Sequence, residues 1–270
     1  MKPVKRVVLI TGANGGIGRS LAERFAHDGA GIALLDISPR VEELADTLAA
    51  SGAQVAMACA DVADAAQVNE AVRLLETRLG PIDCLINNAG LTGNIAPLAR
   101  MKTEAWQKEL AINLGGPFNL LQAVLPGMVE RGWGRIVNIS SAAARGGLFN
   151  QAGYAATKTG LLGLTRNVTL EYARHGVTCN AILPGLIDTP AVQGMPPIIR
   201  DDALSLVPAG RTGQPAEVAA LAAFLCSDEA AFINGAEIDI DGGARLCPTI
   251  LGSVREVQAR QERARQHAAP

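Results

Sequence analysis

The chain has 270 residues, 49% of them apolar and 19% charged, with a formal net charge of −2. That length and apolar fraction support a sizeable buried core and argue against a disordered chain. Near-neutrality argues against nucleic acid or an anionic membrane as partner, and no apolar run reaches the roughly 20 residues of a membrane span.

Candidate strands fall at Arg6–Thr11, Gly31–Asp36, Gln54–Ala58, Asp83–Asn87, Arg135–Ser140, Thr178–Leu183 and Glu237–Ile240. Between them, amphipathic stretches predict helices at Gly16–His27, Pro39–Ser51, Ala65–Leu79, Thr103–Arg131, Gly153–His175 and Pro215–Cys226. Short β-branched runs alternating with helices indicate βαβ units and a parallel sheet. The strands are apolar almost throughout, as expected when helices cover both faces. Right-handed crossovers then give a doubly wound α/β fold with its ligand crevice at the carboxyl ends of the strands. The stretch 189–210 shows no clear periodicity and reads as a lid or substrate wall. The charged tail, 244–270, reads as a partly helical extension, either frayed or at an interface. With no leader pattern at its start, the chain is expected to be cytoplasmic. The cysteines and histidines are too scattered for a metal site, so none is expected.

The first strand runs into Thr11-Gly12-Ala13-Asn14-Gly15-Gly16-Ile17-Gly18. Such a turn before a helix suits a dinucleotide pyrophosphate, a dianion that needs backbone N–H donors, a helix N-terminus and no blocking side chains. Candidate contacts are Gly12, Asn14, Gly16, Ile17 and Gly18. Asp36 ends the second strand, where a carboxylate accepts ribose hydroxyls and repels a 2′-phosphate. No Lys or Arg stands at Ile37 or in the turn, which favours NAD over NADP. Alternatively, Asp36 caps the helix near Pro39. Asp61 and Val62 are candidates for the adenine, and Asn88 and Gly90 follow the fourth strand, where a structural turn is the competing role.

Tyr154 and Lys158 stand four apart at the start of a predicted helix and so share a face. A free phenol titrates near a pKa of about 10. A neighbouring ammonium is expected to acidify it into a usable proton shuttle, and Lys158 is also placed to hold a nicotinamide ribose. Ser141, with Ser140 as an alternative, ends a strand where a hydroxyl can hold a substrate oxygen. Asn113 sits mid-helix, where an amide is unfavourable. It reads either as a functional break in the helix or as part of a kink at Gly115-Gly116-Pro117. After the sixth strand, Pro184 and Gly185 form a rigid turn that could press on a nicotinamide, with Ile187 and Thr189 following.

Taken together, TGANGGIG at 11–18, Asp36, Asp61-Val62, NNAG at 87–90, Asn113, Ser141, YAATK at 154–158, PGLIDT at 184–189 and DGG at 241–243 resemble the short-chain dehydrogenase/reductase family. The resemblance spans roughly residues 6 to 243. It implies a Rossmann-like seven-stranded parallel sheet in three α/β/α layers, forming one catalytic domain over 1–243. It also implies an Asn113–Ser141–Tyr154–Lys158 tetrad and frequent homotetramers built through the two long helices and the last strand. The expected activity is NAD(H)-dependent interconversion of a secondary alcohol and a ketone, with a small-molecule substrate held by Ser141 and Tyr154. The run from Pro208 to Gly243 is also similar to 3-oxoacyl-(acyl-carrier-protein) reductases, so reduction of an acyl thioester is the alternative activity. A dinucleotide-binding scaffold without turnover is the alternative outside enzymes.

Overall fold

The computed structural model describes residues 6–246. Within them, β1 (Val7–Thr11), β2 (Gly31–Asp36), β3 (Val55–Cys59), β4 (Cys84–Asn87), β5 (Gly134–Ile139), β6 (Val177–Pro184) and β7 (Glu237–Ile240) form one sheet. The strand order is β3-β2-β1-β4-β5-β6-β7, and every pairing is parallel. The helices are α1 (Gly16–His27), α2 (Val41–Ala50), α3 (Ala65–Leu79), α4 (Thr103–Leu110), α5 (Gly116–Arg131), α6 (Ala143–Gly146), α7 (Ala152–Tyr172), α8 (Pro190–Gln193), α9 (Pro197–Ser205) and α10 (Pro215–Leu225).

Alternate residues of a strand point to opposite faces. In β1, Val8 and Ile10 join one core with α1, α2 and α10, whereas Val7 and Leu9 join the other with α3 and α5. Both cores are built from buried apolar side chains, so truncating one such as Ile10 to Ala costs about 2–5 kcal/mol. Local chemistry sets several helix ends. The Asp64 carboxylate accepts from the Ala66 and Gln67 N–H groups at 2.9 and 3.1 Å and starts α3. Gln214 and Glu217 form a reciprocal capping box that starts α10.

The chain winds outward from β1 to β3, then crosses back to β4 on the other side of β1. This reversal opens a crevice at the carboxyl ends of β1 and β4.

The stretch expected as a single helix over Thr103–Arg131 is divided. Between α4 and α5, residues Ala111–Gly115 form a π-helical turn centred on Asn113. Pro117 supplies no N–H for the ladder, and Asn113 directs its amide outside the helix, so the hydrogen-bond register widens there. The aperiodic segment after β6 contains α8 and α9, each opening on a proline, whose fixed φ suits a first helical position. Of the expected C-terminal extension, Ala244–Leu246 form a 3-10 turn; residues 247–270 lie outside the described residues.

Candidate active site

The turn after β1 is held against the end of β4. The Thr11 hydroxyl accepts the backbone N–H groups of Asn88 and Ala89, both at 3.0 Å. The Asn88 amide donates to the carbonyls of Thr11 and Gly12 at 2.9 and 3.1 Å. Gly12 has φ +62°, and a Cβ there would lie 2.8 Å from the Ala89 Cα. A Cβ on Gly18 would collide with the Gly12 carbonyl, and one on Gly16 would crowd Thr189. These glycines let the turn, α1 and the loop after β6 converge. What remains between them is a cleft of about 610 Å³.

Gly12, Asn14, Gly16, Ile17, Asp36, Asp61, Val62, Asn88, Gly90 and Thr189 all line this cleft. The Asp36 carboxylate accepts the Asn14 N–H at 2.9 Å and the Ser38 N–H at 2.8 Å. It therefore ties β2 to the glycine turn and does not cap α2, whose first residue is Val41. Asp61 accepts the Ala63 N–H at 2.9 Å, which shapes its own turn.

Beyond Gly90 the polar side chains converge. A Cβ built on Gly90 would stand 3.5 Å from both the Asn113 Oδ1 and the Lys158 Nζ. Asn113 is fully buried and bonds Leu91 in both directions, accepting its N–H at 2.6 Å and donating to its carbonyl at 3.0 Å. It also donates to the Thr157 hydroxyl at 3.2 Å. The π-helical turn thus locks α4–α5 to the loop after β4 and to α7. Lys158 is buried and donates to the Ile139 carbonyl at 2.8 Å. Desolvation of its ammonium pulls its pKa from 10.5 down to about 8.

The Ser140 hydroxyl is committed to the Lys158 carbonyl at 2.9 Å. Ser141 lies beside the Tyr154 phenol, close enough to favour its ionisation. Burial outweighs that effect and pushes Tyr154 above the ordinary tyrosine value, with Glu109 adding to the rise. This corrects the expectation of an acidified phenol. Lys158 stands 5.7 Å from the Tyr154 ring centroid, with its proton directed at a backbone carbonyl.

A family model described as Enoyl-(Acyl carrier protein) reductase matches residues 12–245. The levodione reductase of Leifsonia aquatica is 41% identical over 249 residues, covering 88% of this chain and 93% of that protein. A 3-oxoacyl-(acyl-carrier-protein) reductase of Thermotoga maritima is 40% identical over 239 residues, covering 88% and 97%. The crystal structure of levodione reductase superposes with a TM-score of 0.84 at 40% identity, covering 89% of this chain and 98% of that one. The chain belongs to the short-chain dehydrogenase/reductase family. It is accordingly an oxidoreductase of the alcohol/ketone class with a Rossmann-like fold, and members of this family usually bind a nicotinamide dinucleotide. Among the described residues, no helix is long and apolar enough to cross a membrane, and no group of metal-ligating side chains occurs.

Some residues expected from the family pattern stand apart from the cleft. Gly18 packs on the turn itself. Pro184 closes β6, and Gly185 packs against Asp241, where a Cβ would come within 2.9 Å. Ile187 turns its side chain into the core and pairs its backbone with Gly213. Sequence reasoning passed over Leu91 and Ile112, which line the cleft, and Glu109. The available signal for Glu109 was a charge on the helical face that carries Trp106 and Asn113 inward.

Proposed function

We propose that the protein interconverts a secondary alcohol and an apolar ketone with NAD(H), using Tyr154 as general acid and base. The observation that carries this reading is the grouping of the Tyr154 phenol with the Ser141 hydroxyl and the Lys158 ammonium, together with the approach of that ammonium to Gly90 on the wall of the glycine-lined cleft. A nicotinamide dinucleotide, when bound, supplies or accepts the hydride. Gly12, Asn14, Gly16 and Ile17 receive its pyrophosphate, and Asp36 receives the adenosine ribose hydroxyls. Asp61 and Val62 flank the adenine, Asn88 and Gly90 flank the inner ribose, and Thr189 borders the nicotinamide. Lys158 holds the ribose, and Ser141 fixes the substrate oxygen. Asn113 keeps the π-helical turn open against Leu91. Tyr154, kept protonated by burial, donates to a ketone oxygen at neutral pH and takes up an alcohol proton more readily as pH rises.

The substrate side supports a small apolar ketone over an acyl chain on an acidic carrier protein. Leu148 and Phe149 on the loop before α7, and Met195, Ile198 and Ile199 on the α8–α9 segment, are exposed apolar side chains. The arginines that could greet an acidic carrier are otherwise engaged. Arg131 donates to the Ile82 carbonyl, and Arg135 is buried beside Trp133, both at the amino ends of the strands, opposite the cleft. Arg145 pairs with Glu237 and Asp239. The relative named levodione reductase fits the same substrate class. Residues 1–243 form the catalytic domain in this reading, the assembly is a homotetramer, and the location is cytoplasmic. Initial rates for a panel of cyclic and open-chain ketones and alcohols, with NAD(H) and NADP(H) in parallel, test it. Turnover of apolar ketones with NADH is expected; turnover confined to acyl thioesters with NADPH overturns it.

A further inference from the structure

A second titratable group lies against Gly153, the residue before Tyr154. Glu109, on the last turn of α4, has 0% of its surface exposed, and neither carboxylate oxygen has a hydrogen-bond partner among the described residues. Its Oε2 fills the space that a Cβ on Gly153 would occupy, and the Trp106 ring would lie 3.4 Å from that same Cβ. Helix α7 comes this near α4 because residue 153 has no side chain, and Tyr154 is the next residue. Asn94 lies near the carboxylate, but its amide donates to the Ala105 carbonyl at 3.3 Å. Burying an unpartnered carboxylate is unfavourable, and an apolar side chain of similar volume would carry no such penalty. On α4 itself, Glu104 and Lys108 are exposed. The π-helical turn and the loop 91–97 carry no titratable side chain. On the facing turns of α7, the titratable groups are Tyr154 and Lys158.

We propose that Glu109 is a positioning residue for the active-site proton: its buried carboxylate opposes loss of the Tyr154 proton and sets the pH at which the site changes from proton donor to proton acceptor. The inference rests on the reading of Tyr154 as general acid and base. A buried negative charge one residue along the helix from the phenol makes a second negative charge there more costly, and Glu109 acts on Tyr154 in that direction. Burial raises the Glu109 value itself, so the two groups titrate in a linked way. The positive end of the α7 dipole favours ionised Glu109 and keeps its charge available against the phenolate.

The chain has 2 tyrosines, Tyr154 and Tyr172, so ultraviolet titration of phenolate absorbance isolates Tyr154 when a Tyr154→Phe partner is subtracted. Glu109→Gln is expected to bring the Tyr154 phenolate in at lower pH than wild type. Glu109→Asp, which keeps a charge, restores the wild-type midpoint. Alcohol oxidation by Glu109→Gln at fixed neutral pH should rise about three- to tenfold, with the cofactor KM unchanged. Glu109→Met serves as a second uncharged variant should the Gln variant fold poorly. Superimposable phenolate titrations of wild type and the uncharged variants overturn the proposal, even where their melting temperatures differ. A shifted titration in a protein that turns over no alcohol or ketone upholds the Glu109–Tyr154 link and removes the activity reading instead.

Discussion

Replacing Asp36 with Asn keeps the size and one acceptor oxygen of the side chain and removes its charge. Two effects on the cofactor follow. A ribose hydroxyl bonded to a carboxylate is held about 1.5–2 kcal/mol more firmly than without it, so NADH affinity should fall about tenfold or somewhat more. A 2′-phosphate about 4 Å from a carboxylate is repelled by about 1 kcal/mol in water and about 4 kcal/mol at an effective dielectric of about 20. Asp36 is 9% exposed but lines an open cleft, so about 2 kcal/mol is the appropriate middle value. NADPH affinity should then rise about thirtyfold, moving the selectivity ratio by two to three orders of magnitude. The variant also loses one of the bonds to Asn14 and Ser38, at 2.9 and 2.8 Å. That loss costs about 1 kcal/mol and lowers Tm by about 2–4 °C. Fluorescence titration with NADH and NADPH, alongside kcat/KM for each, measures the ratio. A ratio equal to that of the wild type refutes the assignment of Asp36 to the ribose.

Tyr154→Phe should reduce turnover by about 10²–10⁴-fold while NADH affinity stays near wild type; a parallel loss of both would point to a folding defect. Lys158→Met should abolish activity yet stabilise the fold at neutral pH. The folded ammonium titrates at about 8 against 10.5 for the ordinary side chain, so between those values the unfolded chain binds more protons and wild-type stability rises with pH. Below pH 8 the buried charge therefore costs about 3 kcal/mol, offset by about 1 kcal/mol from the bond to Ile139. Urea unfolding should show the Met variant ahead by about 2 kcal/mol at pH 7, with the gap closing above pH 10; a less stable variant at pH 7 contradicts the desolvation argument. Gly12→Ala combines a φ of +62° with a Cβ 2.8 Å from the Ala89 backbone. It should cost about 2–4 kcal/mol and impair dinucleotide binding, as seen in melting curves with and without NADH.

Local patterns carried much of the fold. Strand residues such as Val7 to Ile10 are apolar because both faces are covered, and that requirement is written in consecutive residues. The glycine turn was equally visible, because Gly12 and Gly18 occupy places that backbone atoms from other segments approach too closely for a side chain. Ser140 and Ser141 could not be separated by the local strand-end pattern, and only the family resemblance favoured Ser141. Their difference is tertiary, since one hydroxyl meets the Lys158 carbonyl on α7 and the other meets the phenol. The loop after β6 has the same limit: consecutive positions do not tell that Thr189 lines the cleft while the Ile187 side chain turns into the core.

The Tyr154–Lys158 pair shows most sharply what spacing leaves open. A four-residue interval puts both groups on one helix face and brings a cation near a phenol, from which an acidic tyrosine follows if Coulomb attraction dominates. Desolvation depends on everything else packed around the pair, and for fully buried groups it reaches about 3–5 units. Here it acts on both partners, drawing the lysine down to about 8 and holding the phenol up. Each shift weakens the attraction that the spacing suggested, because a partly neutral amine stabilises a phenolate less. The proton at this site is therefore governed by burial first, by the opposing Ser141 hydroxyl next and by the Glu109 charge after it, so its sign could not be read from the interval between the two residues.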